Sequence, residues 1–281
     1  MNTIAVLTDF SERSVHATRF AMHMAKKMKS KVLLFSMNTV PANQQLVTAG
    51  GLPYLMDFSN ELADFTLRME LDLQNRSFPG AFLPEVTFNN EGPEIVDIMT
   101  AIMKNGEINM IVTFPSRADD LATYILSDVC TRVIDWAAVP VLVIPESTAI
   151  KNFEKIAFVS QLHEEDINSI AELAGLMEGF AAELMIAHLN EDPSDICVQK
   201  AEEKLTRDLY QKLNYGGFYF RSIPDTRVRK DWSWLNANKK TDLLAVVQQP
   251  GEQMARFFKR GQHSQVTYHI TTPVIILPKR P

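Results

Sequence analysis

Short apolar runs rich in Val, Ile and Leu recur along the whole chain, and each predicts a buried β-strand. Continuous runs of this kind are typical of parallel strands that are covered on both faces. The predicted strands of the first half are Thr3–Thr8, Lys31–Met37, Glu85–Asn89, Met110–Thr113 and Val141–Ile144. Those of the second half are Lys155–Ser160, Glu183–Leu189, Gly217–Arg221, Leu243–Val247 and Val274–Leu277.

Between the apolar runs lie segments whose apolar residues recur at three- and four-residue steps, which predicts amphipathic helices. Ser11 or Ser14 is the expected N-cap of the first helix, because a serine hydroxyl can accept a hydrogen bond from the first turn. Strands that alternate with helices imply right-handed crossovers and a doubly wound α/β sheet. The predicted helices are Ser14–Met28, Ser59–Gln74, Glu94–Met103, Glu165–Phe180 and Ser194–Leu213.

The second half of the chain repeats the first. TIAVLTDF at residues 3–10 corresponds to KIAFVSQL at 155–162, at an offset of 152 residues. VPVLVIPE at 139–146 corresponds to TPVIILPK at 272–279, at an offset of 133 residues, so the second half is shorter in its middle. We therefore predict an α/β protein of two tandem doubly wound domains, residues 1–147 and 152–281, each with a five-stranded parallel sheet.

Composition and charge narrow the function classes. The chain has 281 residues, of which 46% are hydrophobic and 22% charged, as in ordinary globular proteins. Its net charge of −6 disfavours general binding of nucleic acid or of an anionic membrane surface. Cys130 and Cys197 are too few for a disulfide framework. We expect a cytoplasmic protein, because no signal peptide is readable and the longest apolar stretches, such as Val139 to Ile144, are too short to span a bilayer.

Residues Pro41–Pro53 form an insertion that contains Gly50 and Gly51 and follows the second predicted strand. Open α/β sheets bind ligands at the carboxyl ends of their strands. The insertion is therefore either a lid over a ligand site or a plain surface loop.

Three features resemble the universal stress protein family over nearly the whole chain. A strand is followed by Asp9-x-Ser11 and an Ala-rich helix, and Gly92-Pro93 precedes a helix and a further strand. Each half ends with a helix and a Pro-Val-Leu/Ile strand, over Val129–Ile144 and Val266–Leu277. The resemblance implies Rossmann-like domains in tandem and a role in the stress response. The family has members that bind ATP and members that do not.

Members that bind ATP share G-x2-G-x9-G-[S/T] after the fourth strand and an Asp after the first. In the first half the glycine positions hold Phe114, Arg117 and Ser127, and the Ser/Thr position holds Asp128. These side chains would fill a phosphate cradle, and a carboxylate there would repel phosphate. Asp9 is retained, as a nucleotide ligand or as a cap at the helix entrance.

The second half keeps more of the phosphate motif. Gly251 and Gly261 have the x9 spacing, while Gln248 stands at the first glycine position and Gln262 at the Ser/Thr position. Gln161 stands where the first half has Asp9. Three basic residues lie in the same segment and could neutralise phosphates: Arg256, Lys259 and Arg260.

The function that this comparison favours is a non-enzymatic stress-response regulator with degenerate nucleotide motifs, no cofactor and an unknown protein partner. The alternative is a sensor that binds ATP or another adenine nucleotide in the second half. Candidate nucleotide-binding residues are Asp9, Gly251, Gly261 and Gln262. The family resemblance also implies that Val141–Ile144 and Val274–Leu277 meet as a pseudo-dimer of the two halves, which leaves a homodimer open.

Two other groups of residues have alternative readings. The run from His163 to Asp166, with His188 or His269, could bind a metal, or its carboxylates could simply favour a helix N-terminus. Trp232 and Trp234 could form a partner-binding patch or pack on the sheet.

Overall fold

The structure is a computed structural model that describes residues 1–37, 46–49, 52–55, 59–90, 94–115, 128–190, 195–213, 217–224, 241–248 and 272–279. The strands are β1 Thr3–Thr8, β2 Lys31–Ser36, β3 Leu46–Ala49, β4 Leu52–Leu55, β5 Val86–Asn89, β6 Ile108–Thr113, β7 Val141–Val143, β8 Lys155–Ser160, β9 Glu183–Asn190, β10 Phe218–Pro224, β11 Leu243–Val247 and β12 Val274–Leu277. The helices are α1 Glu12–Met28, α2 Ser59–Asn75, α3 Ile95–Lys104, α4 Asp128–Trp136, α5 Asp166–Met177 and α6 Ile196–Lys212, with a 3-10 turn at Glu178–Phe180.

All ten predicted strands are present, and the predicted α/β fold is confirmed. Their ends differ from the predicted ones by at most three residues, as at the carboxyl end of β10. The five predicted helices are present as well. Ser11 is the N-cap of α1, and its side chain accepts a hydrogen bond from the Ser14 backbone N–H.

Ten of the described strands form one sheet in the order β10-β9-β8-β11-β12-β7-β6-β1-β2-β5. All neighbours pair parallel except β12 and β7, which pair antiparallel. The sheet thus consists of two parallel sets of five strands that run in opposite directions. In the first set β1 lies between β2 and β6, and in the second β8 lies between β9 and β11.

The insertion at Pro41–Pro53 is not a plain loop. Its described residues belong to strand β3 and to the first half of strand β4, which ends at Leu55, and the two strands pair antiparallel as a separate two-stranded sheet. The sequence signal for this hairpin is Gly50-Gly51 between two runs of strand-forming residues. Its role as a lid stays a prediction.

The core lies on both faces of the sheet, because side chains of successive strand residues point to opposite faces. On one face Ile4 and Val6 are buried beneath α1, α2, α5 and α6. On the other face Ala5 and Leu7 are buried beneath α3 and α4. Cys130 of α4 is fully buried there, as expected for a core thiol.

Strands β7 and β12 join the two sets of strands, and we call their pairing the seam. The seam is part of this core. Leu142 of β7 lies opposite Ile275 of β12, and both are fully buried. The two last strands therefore meet within one chain, as predicted. Each core cluster contains residues from both sides of the join near residues 147–152, so the division into domains 1–147 and 152–281 stays a prediction.

Candidate functional site

Two crevices are expected in this sheet, one at each point where the strand order reverses. The first crevice lies at the carboxyl ends of β1 and β6 and is formed by residues 8–11 and 113–115. The second lies at the carboxyl ends of β8 and β11 and is formed by residues 160–163 and 247–248. Because β7 and β12 are antiparallel, the two crevices lie at opposite edges of the sheet.

The turn from β1 into α1 is fixed by short hydrogen bonds. The Thr8 hydroxyl accepts from the Phe10 backbone N–H at 3.1 Å and donates to the Ser14 hydroxyl at 3.0 Å. Phe10 takes a left-handed conformation, with φ of 64°. This conformation is uncommon for a bulky residue, so the surrounding bonds must hold it.

Asp9 lies inside this turn and is half-buried. Its Oδ1 accepts a hydrogen bond from the Ser11 backbone N–H at 3.0 Å. A carboxylate that bonds the backbone two residues on is a common turn-forming arrangement. Asp9 therefore supports the helix entrance in this structure, which was one of its two predicted roles.

Phe114 occupies the first-glycine position of the first crevice. Its side chain is 3% exposed and belongs to the same core cluster as Val112 and Ile144. A glycine at this position would leave backbone N–H groups accessible to a phosphate. Here a phenylalanine stands at this position, and its ring packs into the core.

The turn from β8 into α5 repeats the geometry of the first turn. The Ser160 hydroxyl accepts from the Leu162 backbone N–H at 2.9 Å, and Leu162 has φ of 60°. The same hydroxyl donates to Asp166 Oδ2 at 2.6 Å, and the Gln161 N–H donates to that oxygen at 2.9 Å. Asp166 corresponds to Ser14, so a buried carboxylate replaces a hydroxyl.

His188 lies at the end of β9, beside the second crevice. Its Nδ1 is 3.1 Å from the Ser160 carbonyl oxygen. Since a carbonyl oxygen can only accept, Nδ1 carries a proton in this contact. Across the crevice, the Gln248 side-chain amide donates to Asp135 Oδ1 at 3.5 Å.

Several predicted residues lie outside the described part of the chain. They include Gly251, Gly261 and Gln262, the basic residues of the same segment, and Trp232 and Trp234. Their nucleotide-binding or packing roles stay predictions.

The acidic residues of the run from His163 to Asp166 do not converge on one site, because Glu164 and Asp166 have separate partners. Glu164 forms an ion pair with Lys204 of α6, and the hydrogen bond from Lys204 lowers the pKa of Glu164. Asp166 instead turns inward to Ser160. Among the described residues no three His, Cys, Asp or Glu side chains are grouped as metal ligands.

Sequence reasoning missed the specific role of Asp166, which it treated only as part of an acidic run. The repeat itself held the signal, because Thr8 and Ser14 have the same spacing as Ser160 and Asp166. The left-handed backbone conformation of Phe10 and Leu162 could not be predicted, because neither residue type favours it.

The sequence profile of the universal stress protein family matches residues 1–145. The chain belongs to the universal stress protein family. A search of curated proteins found no match. None of the described helices is long and apolar enough to cross a bilayer.

Solved structures of similar fold cover both halves of the chain. A universal stress protein from Archaeoglobus fulgidus DSM 4304 has a TM-score of 0.62 at 13% identity, covering 99% of each chain. A protein from Pseudomonas aeruginosa UCBPP-PA14, provisionally described as a universal stress protein, has a TM-score of 0.58 at 12% identity, covering 99% of this chain and 93% of that one. The cytoplasmic domain of a prokaryotic cation chloride cotransporter has a TM-score of 0.59 at 10% identity, with coverage of 99% and 96%. At these identities the likeness shows the fold alone.

Proposed function

We propose that this protein is a non-enzymatic, cytoplasmic regulator of the stress response that acts by binding a protein partner. In this proposal the first crevice no longer binds a nucleotide. Membership of the universal stress protein family supports the stress-response role.

The observation that carries the proposal is the burial of Phe114 at the first-glycine position. A phosphate-binding loop needs a glycine here so that its backbone can approach the phosphate, and a phenylalanine anchored in the core does not give the backbone that freedom. Releasing the ring into water would cost about 2 kcal/mol, before the loss of its packing. The carboxylate of Asp9 is engaged by the Ser11 N–H, which is consistent with a turn-forming role.

The absence of catalysis is supported by how the polar groups of the turns are used. The hydroxyls of Thr8 and Ser160 each accept a backbone N–H and donate to a side chain of the following helix. Both residues are also buried, with 0% of Thr8 and 2% of Ser160 exposed, so a substrate could not reach either hydroxyl as a nucleophile.

The second candidate function is binding of an adenine nucleotide at the second crevice. Gly251 and Gly261 favour it in the sequence. His188 favours it in the structure, because the contact of its Nδ1 with the Ser160 carbonyl holds a polar ring beside the carboxyl end of β8.

A thermal shift measurement with Mg-ATP separates the two candidates. Saturation at about 100 times the dissociation constant would add about 2.7 kcal/mol of stability. We expect an unchanged melting temperature and no ATP turnover above background. Asp9→Asn serves as the matched variant for the first crevice and Gly251→Arg for the second.

A clear upward shift would contradict the leading proposal. If Gly251→Arg abolished the shift and Asp9→Asn preserved it, the nucleotide would bind in the second crevice. The reverse pattern would assign the nucleotide to the first crevice in spite of Phe114.

A further inference from the structure

The strand register relates positions in the two halves one to one. Ile4 pairs with Met110, and Ile156 pairs with Leu243 in the same way. Residues near β1 and α1 thus correspond to residues 152 positions later, and residues from β6 onward to residues 133 positions later. We call two residues related in this way counterparts.

The axis that relates the halves passes between α1 and the 3-10 turn after α5. Lys27 and Gly179 are counterparts, and a Cβ added to Gly179 would lie 2.6 Å from the Lys27 carbonyl oxygen. Two counterparts in such close contact mark the local twofold axis. The surface on either side of it should therefore carry two similar grooves.

The segment between the two halves fills one of these grooves. Lys151 Nζ donates to the buried carboxylate of Asp242 at 2.5 Å. The Asn152 side-chain oxygen bonds His23 Nε2 at 3.1 Å. Basic and amide side chains of the linker are thus each bound by a specific polar group.

Phe153 completes the filling of this groove. Its ring lies 5.7 Å from that of Phe20 and 5.1 Å from that of Phe180, and it is 2% exposed. Lys151, Asn152 and Phe153 together show what kind of segment this groove accommodates. It lies outside any helix or strand and has a basic residue two positions before an aromatic one.

The other groove is an open cleft of about 750 Å³. It is lined by the counterparts of the residues that hold the linker. Asn109 is the counterpart of Asp242, and Gly175 is the counterpart of His23. Further lining residues are Met28, the counterpart of Phe180, and Glu172, the counterpart of Phe20.

Nothing in the described part of the chain fills this cleft as Phe153 fills its groove. The counterpart of Phe153 is Met1, which is 58% exposed. The side-chain oxygen of Asn109 is buried and has no hydrogen-bond partner among the described residues. A buried oxygen of this kind is costly unless a donor reaches it.

We propose that the cleft binds an extended peptide segment of a partner protein, with a basic residue two positions before an aromatic one. The ammonium or guanidinium group of the basic residue donates to the Asn109 oxygen. The charged residues that line the cleft are Lys27 and Lys29 from the first half and Glu172 and Glu178 from the second, so positive and negative side chains balance, and the Asn109 oxygen rather than the overall charge selects the basic residue. The aromatic ring packs against Met28 and Leu176.

This inference names the kind of partner for the proposed regulatory function and rests on that function for the existence of a partner. It does not depend on either crevice, because the cleft is lined by other residues. Failure of peptide binding would leave the ATP measurement and its result unaffected. The two proposals can therefore fail separately.

The linker itself supplies the probe. A fluorescein-labelled peptide ESTAIKNF, identical to residues 146–153, is titrated with the full chain and followed by fluorescence polarisation. We expect saturable binding that is lost when the lysine and phenylalanine of the peptide are both alanine. Saturable binding of this kind also separates a specific site from general electrostatic attraction.

Two substitutions locate the peptide on the protein. A Cβ added to Gly175 has no atom within 4 Å, so Gly175→Trp should fill the cleft without a backbone clash and weaken binding at least tenfold, roughly 1.4 kcal/mol. Gly175→Ala is the matched control and should preserve binding. Asn109→Asp reproduces the carboxylate of Asp242 and should tighten binding by roughly fivefold.

Three results would overturn the inference. One is the absence of saturable binding up to millimolar protein. Another is unchanged binding by Gly175→Trp whose melting curve shows a folded protein, since the peptide would then sit elsewhere. The third is unchanged or weaker binding by Asn109→Asp, since the basic residue would then lie away from position 109.

Discussion

The turns that lead into α1 and α5 have the same geometry, but counterpart residues form their side-chain hydrogen bonds with different acceptors. Thr8 donates to the hydroxyl of Ser14, whereas Ser160 donates to the carboxylate of Asp166. Hydrogen bonds to an ionised acceptor are about twice as strong as neutral ones. The cost of burying the carboxylate is offset only while both its donors, from Ser160 and Gln161, stay in place.

Asp166→Ala should therefore destabilise the protein by about 2–3 kcal/mol, because a buried hydroxyl and a backbone N–H lose their acceptor. The matched change Ser14→Ala removes only neutral hydrogen bonds and should cost about 1 kcal/mol. Urea unfolding of both variants measures the difference. An equal or smaller loss for Asp166→Ala would show that its carboxylate gives the turn no extra stability.

At the scale of elements, the strands could be predicted because each is a continuous apolar run, such as Leu243–Val247, bounded by polar residues. The hairpin of β3 and β4 was missed, because its strands are only four residues long and β4 contains Pro53, a residue that disfavours strands. The site was predicted in part. The position of Phe114 followed from counting along the chain, but its burial depends on contacts that no local pattern specifies.

The cleft could not be predicted at all. It depends on the approach of Lys27 to Gly179, between elements that are far apart in the sequence. The alignment of the halves names these two residues as counterparts but does not say that they touch. Helix packing at the axis decides that contact, and it is a property of the assembled sheet.

The contact between helix α1 and the linker should make the stability of the protein depend on pH, because two histidines of α1 lie there. Burial lowers the pKa of both His16 and His23, against smaller raising effects from Thr148 and Glu146 on His16 and from Asn152 on His23. Arg19 lowers the pKa of His16 further, and Lys26 and Lys27 lower that of His23. The Nε2 of His16 is buried without a partner among the described residues, so a proton there would find no acceptor.

The direction of the pH dependence follows from these shifts. Each folded-state pKa lies below the unfolded value of about 6.5, so the unfolded chain takes up protons first as the pH falls. Stability is fully present above that value and should decline below it. A His16→Gln, His23→Gln double variant should show a flatter decline when urea unfolding is followed from pH 8 to pH 5. Parallel curves for the two proteins would contradict the prediction.

At the scale of the whole molecule, the antiparallel pairing of β7 and β12 joins two parallel sets of strands into one sheet. Without that pairing each set would present an apolar strand at an open edge. Open apolar edges tend to pair with another chain. The seam therefore stabilises the fold and also prevents association through these strands.

Leu142→Lys tests both effects of the seam. A lysine at this fully buried position, opposite Ile275, should cost roughly 4 kcal/mol or more, because its charge has no partner there. It should also free β12 to pair with a second copy, giving a mass that rises with concentration in sedimentation.

Leu34→Lys is the matched control, since Leu34 is equally buried but lies in β2, away from the seam. It should lower the melting temperature without changing the mass. An indifferent melting curve for Leu142→Lys, or the same monomeric mass as the control, would mean that the halves are held together by α1 and the 3-10 turn rather than by the paired strands.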